Sequence, residues 1–197
     1  MARIEGVPPQ RASLTARLAW RSIQRRLGKV SDTWRIVAHH PWVMRGWGAF
    51  ELALDRSRLV DAKLKALAEI KASMRVGCAA CIDVHSALGR RVGVSEQQLR
   101  GLARYRESDD FSPLEKRVLD YAAAMTETPV DVTDELFDEL RRHLNDAQLV
   151  ELTAAIAQEN FRARFNRPLK VEAAGFSHSG YCPLPEKLEP PRTDARA

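Results

Sequence analysis

Cysteine is scarce in this chain, with three in 197 residues. So few thiols cannot staple a small secreted fold, and the protein must rest on a hydrophobic core. Long apolar runs are missing as well: none approaches the roughly 20 residues that cross a bilayer. The N-terminal segment is rich in arginine but has no apolar stretch of the secretory-signal kind, and these two absences predict a cytoplasmic protein. Sustained alternation of apolar and polar residues with β-branched enrichment is also absent, which removes strands from the expected architecture. Aromatics are few, yet three of the four tryptophans (Trp34, Trp42 and Trp47) fall in one region, predicting a bulky core or interface wall there.

What is present reads as one all-α globular domain. Hydrophobic residues make up 45% and charged residues 29%, a soluble composition. The formal charge of +5 does not announce a nucleic-acid binder. The arginines are interleaved with carboxylates, concentrate only in residues 11–29, and accompany no nucleic-acid motif. Helix starts recur along the chain. An arm over residues 1–12 precedes Ser13, which caps a helix with Leu14, Leu18, Ile23 and Leu27 as its apolar stripe and Arg17, Arg21 and Arg25 opposite. That helix is read as docked on the body or on a neighbouring subunit in preference to an anionic membrane surface. Ser31-Asp32 opens a short helix that ends near His39-His40, and Pro41 opens the next.

Asp61 begins the helix that leads to the chemistry. Ser95 with Gln98, and Ser112-Pro113 with Glu115, have the capping-box spacing. Thr133 starts a helix running to about His143, and Asn145 caps a last long one from Asp146 to about Asn166. That last helix is apolar except for Glu159, Asn160 and Arg164, which must pair with one another, lid a pocket, or form a solvated edge. The helical domain is placed at 13–175 with its motif core at 61–126, and an extended tail at 176–197 carries the lone Cys182.

The stretch that organises the rest is Gly77-Cys78-Ala79-Ala80-Cys81-Ile82-Asp83-Val84-His85. On a helix Cys78, Cys81 and His85 fall within roughly 60° of one another. Gly77 breaks the chain just before, so Cys78 meets the free N–H groups and positive end of the helix dipole, which favour a thiolate. His85, one turn past Cys81, can take its proton or hydrogen-bond its thiolate. Three readings stand. The pair is redox-active; it is part of a zinc site, which would need a fourth ligand that no second close Cys/His pair supplies; or the cysteines are packing residues and His85 a satisfied core histidine. On the preceding helix Ala62, Ala66, Glu69, Ser73 and Val76 share a face of mostly small residues. Glu69 is therefore either held near the thiols or a surface charge beside Lys65 and Lys71.

The segments Leu64-Lys65-Ala66-Leu67-Ala68-Glu69, Gly77 to His85, Ser112-Pro113-Leu114-Glu115 with Val118 to Ala122, and Asn160 to Asn166 resemble the carboxymuconolactone decarboxylase and alkylhydroperoxidase D-like (AhpD-like) superfamily, over roughly Val37 to Leu184. The resemblance implies a helical, AhpD-like bundle that assembles as a trimer or hexamer, and a thiol peroxidase that needs no cofactor. In that reading Cys81 attacks a hydroperoxide, Cys78 resolves the sulfenic acid as a disulfide that a thiol or dihydrolipoyl-type reductant reopens, and His85 belongs to a Glu/His proton relay. The family's relay glutamate falls at Ala66 here, so Glu69, one turn closer and on the same face, is the candidate substitute. The decarboxylase branch generally lacks paired cysteines, which points away from lactone decarboxylation. The helix dipole favours Cys78 as the more acidic thiol and the histidine favours Cys81; the histidine decides, because a positioned base also moves protons. Two alternatives remain: a dithiol-disulfide oxidoreductase without peroxide specificity, and a non-catalytic helical oligomer that binds a small molecule.

Overall fold

The computed structural model describes residues 1–177 and 180–186. Among these the chain is all-helical: α1 (Leu14–Leu27), α2 (Asp32–Val37), α3 (Pro41–Arg56), α4 (Ala62–Val76), α5 (Ala79–Arg91), α6 (Glu96–Gly101) running into a 3-10 turn (Leu102–Arg104), α7 (Pro113–Thr126), α8 (Asp134–Arg141) and α9 (Asp146–Asn166). The starts follow from side chains that satisfy orphan N–H groups. Ser13 accepts from Ala16 N–H, and Asp61 from Lys63 and Leu64 N–H. Ser95/Gln98 and Ser112/Glu115 form both halves of a capping box, as does Asn145/Gln148.

The architecture is built around α4, which packs against α5, α7 and α9 at once. One side of it sends Leu64, Ala68 and Ala72 into a core with Val118, Tyr121, Leu152 and Ile156. The other sends Leu67, Ile70 and Met74 against Ile82, Leu99, Leu102 and Leu119. A helix with two apolar faces has to be central. The small-residue face between them is where α5 and α9 approach.

Helices α1 to α3 make a separate cluster in which Val7, Ala16, Trp20, Val37, Met44 and Trp47 are buried. Here the stripe expected on α1 is corrected: Leu14 is 71% and Leu18 54% exposed, while Ala16 and Trp20 face inward. The indole is a larger apolar group than either leucine, and its Nε1 donates to Trp34 O at 3.1 Å, which fixes the rotation of the helix. The tryptophan-rich region is part core and part surface: Trp47 is buried, Trp34 half-buried, and Trp42 74% exposed.

The N-terminal residues 1–12 carry no helix; Val7 N–H donates to Arg35 O and Arg3 N–H to Leu169 O, so the arm lies along α2 and the end of α9. Past α9 the chain returns along α5 and α4. Asp83 accepts the backbone N–H groups of Ala174, Phe176 and Ser177 at 3.0, 2.9 and 2.7 Å. Glu186 reaches Lys71 and Arg75. Of the tail expected from residue 176, residues 178–179 and 187–197 lie outside the described residues.

Candidate functional site

Gly77 ends α4 in the left-handed region (φ 77°), a conformation that costs an L side chain strain, and its N–H closes onto Ser73 O and Met74 O. The reversal hands the chain to α5 with Cys78 as N-cap; its sulfur accepts from Cys81 N–H at 3.2 Å. Cys78 and Cys81 are joined in a disulfide, with Cα atoms 5.3 Å apart. Both sulfurs thus sit in the first turn of the helix, where the dipole helps either as a thiolate. They are nearly inaccessible, at 1% and 5% exposure. Asn166, at the far end of α9, points Nδ2 at Cys81 Sγ (3.4 Å) and Cys78 Sγ (3.8 Å), and is held in place by Thr33 Oγ1 donating to its Oδ1 at 3.0 Å.

His85 lies between two carboxylates. Its Nδ1 is 3.2 Å from Glu69 Oε2 and its Nε2 is 2.9 Å from Glu159 Oε2. Arg162 completes the group: Nε is 2.9 Å from Glu159 Oε2, one terminal nitrogen 3.1 Å from Glu69 Oε1 and the other 3.4 Å from Glu51 Oε1. Ser73 Oγ donates to the remaining oxygen of Glu159 at 2.5 Å. The His85 Nδ1, Glu159 Oε2 and Arg162 Nε contacts are close in charge but not aligned as hydrogen bonds, so the cluster is held by Coulomb attraction more than by directed bonds. Burial would lower the imidazole, but Glu159 and Glu69 override it and push His85 up to about 10. Burial would likewise raise Glu69, and His85 with Arg162 bring it down to about 2.

These contacts bear on two expectations. In the disulfide form both imidazole nitrogens of His85 face carboxylates, and the polar group at the Cys81 sulfur is the Asn166 amide. Glu69 belongs to the cluster and is no surface charge beside lysines, since Lys65 pairs with Glu151 and Lys71 with Glu186. Ala66, at the family's glutamate position, is turned from α4 into the core with Ile82, Leu99 and Leu119. Of the three polar residues flagged on α9, only Glu159 reaches the site; Asn160 and Arg164 turn to Thr126. Sequence reading missed Arg162, Asn166, Glu51 and Thr33. The signal for the first two was present, because Glu159, Arg162 and Asn166 share one face of α9 at spacings of three and four. His39 and His40 are exposed, His40 serving only as the N-cap of α3.

Beside Cys81 lies a cavity of about 160 Å³ between α1, α2, α3, α5 and α9, lined by Trp34, Trp47 and Leu88 together with His85 and Arg162. Cys81 lines it and Cys78 does not. A larger cleft of about 840 Å³ between α4, α7 and α8 contains no motif residue, and its Arg75 is paired with Glu127 and Glu186. Cys182 is half-buried near Ser86, and burial raises its thiol, which makes it a poor nucleophile. Among the described residues no group of three or more His, Cys, Asp or Glu is arranged to hold a metal ion.

Comparison with known proteins adds the following. Residues 41–124 match the family model described as the carboxymuconolactone decarboxylase family. The uncharacterized protein YnjA of Escherichia coli (strain K12) is 32% identical over 166 residues, which cover 83% of this chain and 88% of YnjA. Among solved structures, the debrominase Bmp8, known also in complex with 2,3,4-tribromopyrrole, superposes with a TM-score of 0.80 at 20% identity over 89% of this chain and 94% of Bmp8. An alkylhydroperoxidase AhpD core, an uncharacterized peroxidase-related protein from Ralstonia eutropha JMP134, gives the same TM-score of 0.80 and 20% identity, over 89% of this chain and 94% of its own. These likenesses establish the fold.

Proposed function

Since the chain belongs to the carboxymuconolactone decarboxylase family and has its AhpD-like helical fold, we propose that it is a thiol-dependent peroxidase that reduces hydroperoxides through Cys81 and Cys78. The observation that carries this reading is that Cys81 and His85, held between Glu159 and Glu69, line one small cavity while Cys78 stands behind, joined to Cys81 in a disulfide. The Cys81 thiolate, stabilised by the α5 N-terminus and Asn166, attacks the distal peroxide oxygen. The O–O bond breaks, Cys81 becomes a sulfenic acid, and the alkoxide takes a proton from His85 to leave as an alcohol. The Cys78 thiol then attacks the sulfenic sulfur, forming the disulfide and releasing water. An external dithiol, oxidised to its own disulfide, returns both cysteines to thiols. The proton that Cys81 sheds on ionising replaces the one His85 gave, with Glu69, the less buried of its two carboxylates, as the route. His85 is thus the acid of the relay and not its base.

Burial of both sulfurs argues against general exchange with protein disulfides, whose reach needs an exposed sulfur. A second reading keeps the thiol step and changes the small molecule. In reductive dehalogenation a bromoarene and two thiols would give the arene, hydrogen bromide and the same disulfide, a chemistry suggested by the fold shared with Bmp8. The test is trapping with dimedone after hydroperoxide addition to the reduced protein. Cys78→Ser should accumulate the adduct at residue 81, and Cys81→Ser should give none at 78. If the adduct appears at 78 instead, the two roles are reversed. If none forms in either variant and bromide is released from a bromopyrrole, the second reading replaces the first.

A further inference from the structure

The outward face of α1 takes no part in the thiol cluster, and its side chains are arranged for a contact of another kind. The rotation of the helix is fixed from within: Ser13 caps it, Trp20 Nε1 is bonded to Trp34 O at 3.1 Å, and Ala16, Trp20 and Ile23 turn to the body. What stays outside follows from the helical period. Leu14, Arg17, Leu18, Arg21 and Arg25 fall within an arc of about 100° on the opposite side. All five are exposed, Leu14 at 71% and Leu18 at 54%. Docking on the body, expected of the leucines, is done by Ala16 and Trp20 instead, which leaves the leucines for a second contact.

The charge on this face is of one sign. No Asp or Glu stands between Glu5 and Asp32. Among the described residues Arg17, Arg21 and Arg25 pair with no carboxylate, whereas Arg26, off this face, pairs with Asp55 and Lys29 donates to Ala174 O. The helix dipole does not ask for such an arrangement. Its positive end favours acidic residues in the first turn, where α1 has none, and only Arg25 and Arg26 of the last turn meet the negative end. Arg17 and Arg21 gain nothing from the helix on which they stand. A partner for this face must be anionic over roughly 20 Å and must offer apolar depth to two leucines one turn apart. A nucleic-acid backbone has the charge but no use for the leucines, and a second copy meeting the same face would set three guanidinium groups against three. A bilayer surface supplies both, with anionic headgroups for the arginines and the acyl boundary for the leucines.

We infer that α1 docks this protein on anionic lipid bilayers as a reversible surface contact, with Leu14 and Leu18 entering the headgroup boundary and Arg17, Arg21 and Arg25 on the lipid phosphates. The helix lies along the surface and does not enter it, because its other side is committed to Val37, Met44 and Trp47 and no helix among the described residues is long and apolar enough to cross a membrane. The contact is independent of the thiol chemistry. One basic residue near an anionic surface is worth about fivefold in partition, so the three together supply on the order of a hundredfold.

The test is co-sedimentation of the full-length protein with vesicles of phosphatidylcholine alone or with about 30% phosphatidylserine, at low and at high salt. Binding is expected to the mixed vesicles only, and to fall as salt rises. The triple variant Arg17→Gln, Arg21→Gln, Arg25→Gln should weaken it by about a hundredfold. The double variant Leu14→Ser, Leu18→Ser keeps the charge and should weaken it by about tenfold. All five side chains are exposed, so the circular dichroism of both variants should match the parent's. A control, Arg104→Gln, Arg141→Gln, Arg142→Gln, removes the same charge from exposed positions at the 3-10 turn and the end of α8, and should leave binding within about threefold. No sedimentation with the anionic vesicles, a leucine variant that binds like the parent, or a control as weak as the α1 arginine variant overturns the inference. So does retention of duplex DNA in place of vesicles, or a fall in solution mass caused by the α1 arginine variant alone; these would give the face to nucleic acid or to a second copy.

Discussion

Replacing Glu159 by glutamine tests the electrostatic core of the site more severely than any change at the thiols. The side chain is fully buried, its carboxylate facing His85 Nε2 and Arg162 Nε at 2.9 Å each and accepting from Ser73. Glutamine keeps the volume and the acceptor for Ser73 but removes the charge. Breaking a buried ion pair from one side costs about 3–5 kcal/mol. Glu69 and Glu51 still neutralise part of the two cations, so the lower end applies, about 3 kcal/mol. For a chain of this length that is a fall in Tm of roughly 6–12 °C. The pH dependence has a definite sign. His85 is raised from 6.5 to about 10 in the folded protein, so its share of the stability is fully present below pH 6.5 and is lost as pH rises through about 10. The gap between parent and variant should therefore be wide at neutral pH and narrow above pH 10. Urea unfolding of the disulfide form, followed by tryptophan fluorescence at neutral pH and again above pH 10, gives both numbers. A variant within about 0.5 kcal/mol of the parent at neutral pH, or a gap that does not change between the two, would refute the account of a charge-held histidine.

Two further outcomes are expected, beyond the trapping and vesicle experiments above. Asn166→Ala removes the amide that faces Cys81 Sγ, and a hydrogen bond to a charged group is worth about 1.5–3 kcal/mol, so the apparent pKa for alkylation of Cys81 should rise by roughly one to two units. An unchanged alkylation profile would remove Asn166 from the site. The homo-oligomer that family resemblance implies is proposed to form through the outward face of α3, where Trp42, Val43 and Phe50 are exposed beside Phe161 of α9. Trp42→Glu should then lower the mass measured by light scattering, and a mass equal to the parent's would move the contact elsewhere.

Much of the fold could be read from local rules. Ser13, Asp61, Ser95, Ser112 and Asn145 start helices because each supplies an oxygen to an N–H two or three residues on, information carried within one turn of sequence. The motif helix was legible for the same reason. What failed was whatever depended on a partner from a distant segment. On α1 two apolar faces compete, Leu14 with Leu18 and Ala16 with Trp20, and the choice is made by Trp34 on another helix. The role of His85 could not be read from its distance to Cys81, because Glu159 reaches it from α9 and turns a candidate base into a cation. The cavity is a property of α1, α2, α3, α5 and α9 together, and none of the five sequences contains it.

Asp83 lies inside the motif, between the thiols and the histidine, yet it faces away from both and grips backbone N–H groups 91, 93 and 94 residues further on. During synthesis every group of the thiol cluster, from Glu69 to Asn166, leaves the ribosome before the segment that seals the back of the same helix. Until Ala174 to Ser177 arrive, the Asp83 carboxylate of α5 lacks these three donors. The motif helix therefore has its full set of contacts only once a segment more than ninety residues downstream has been made.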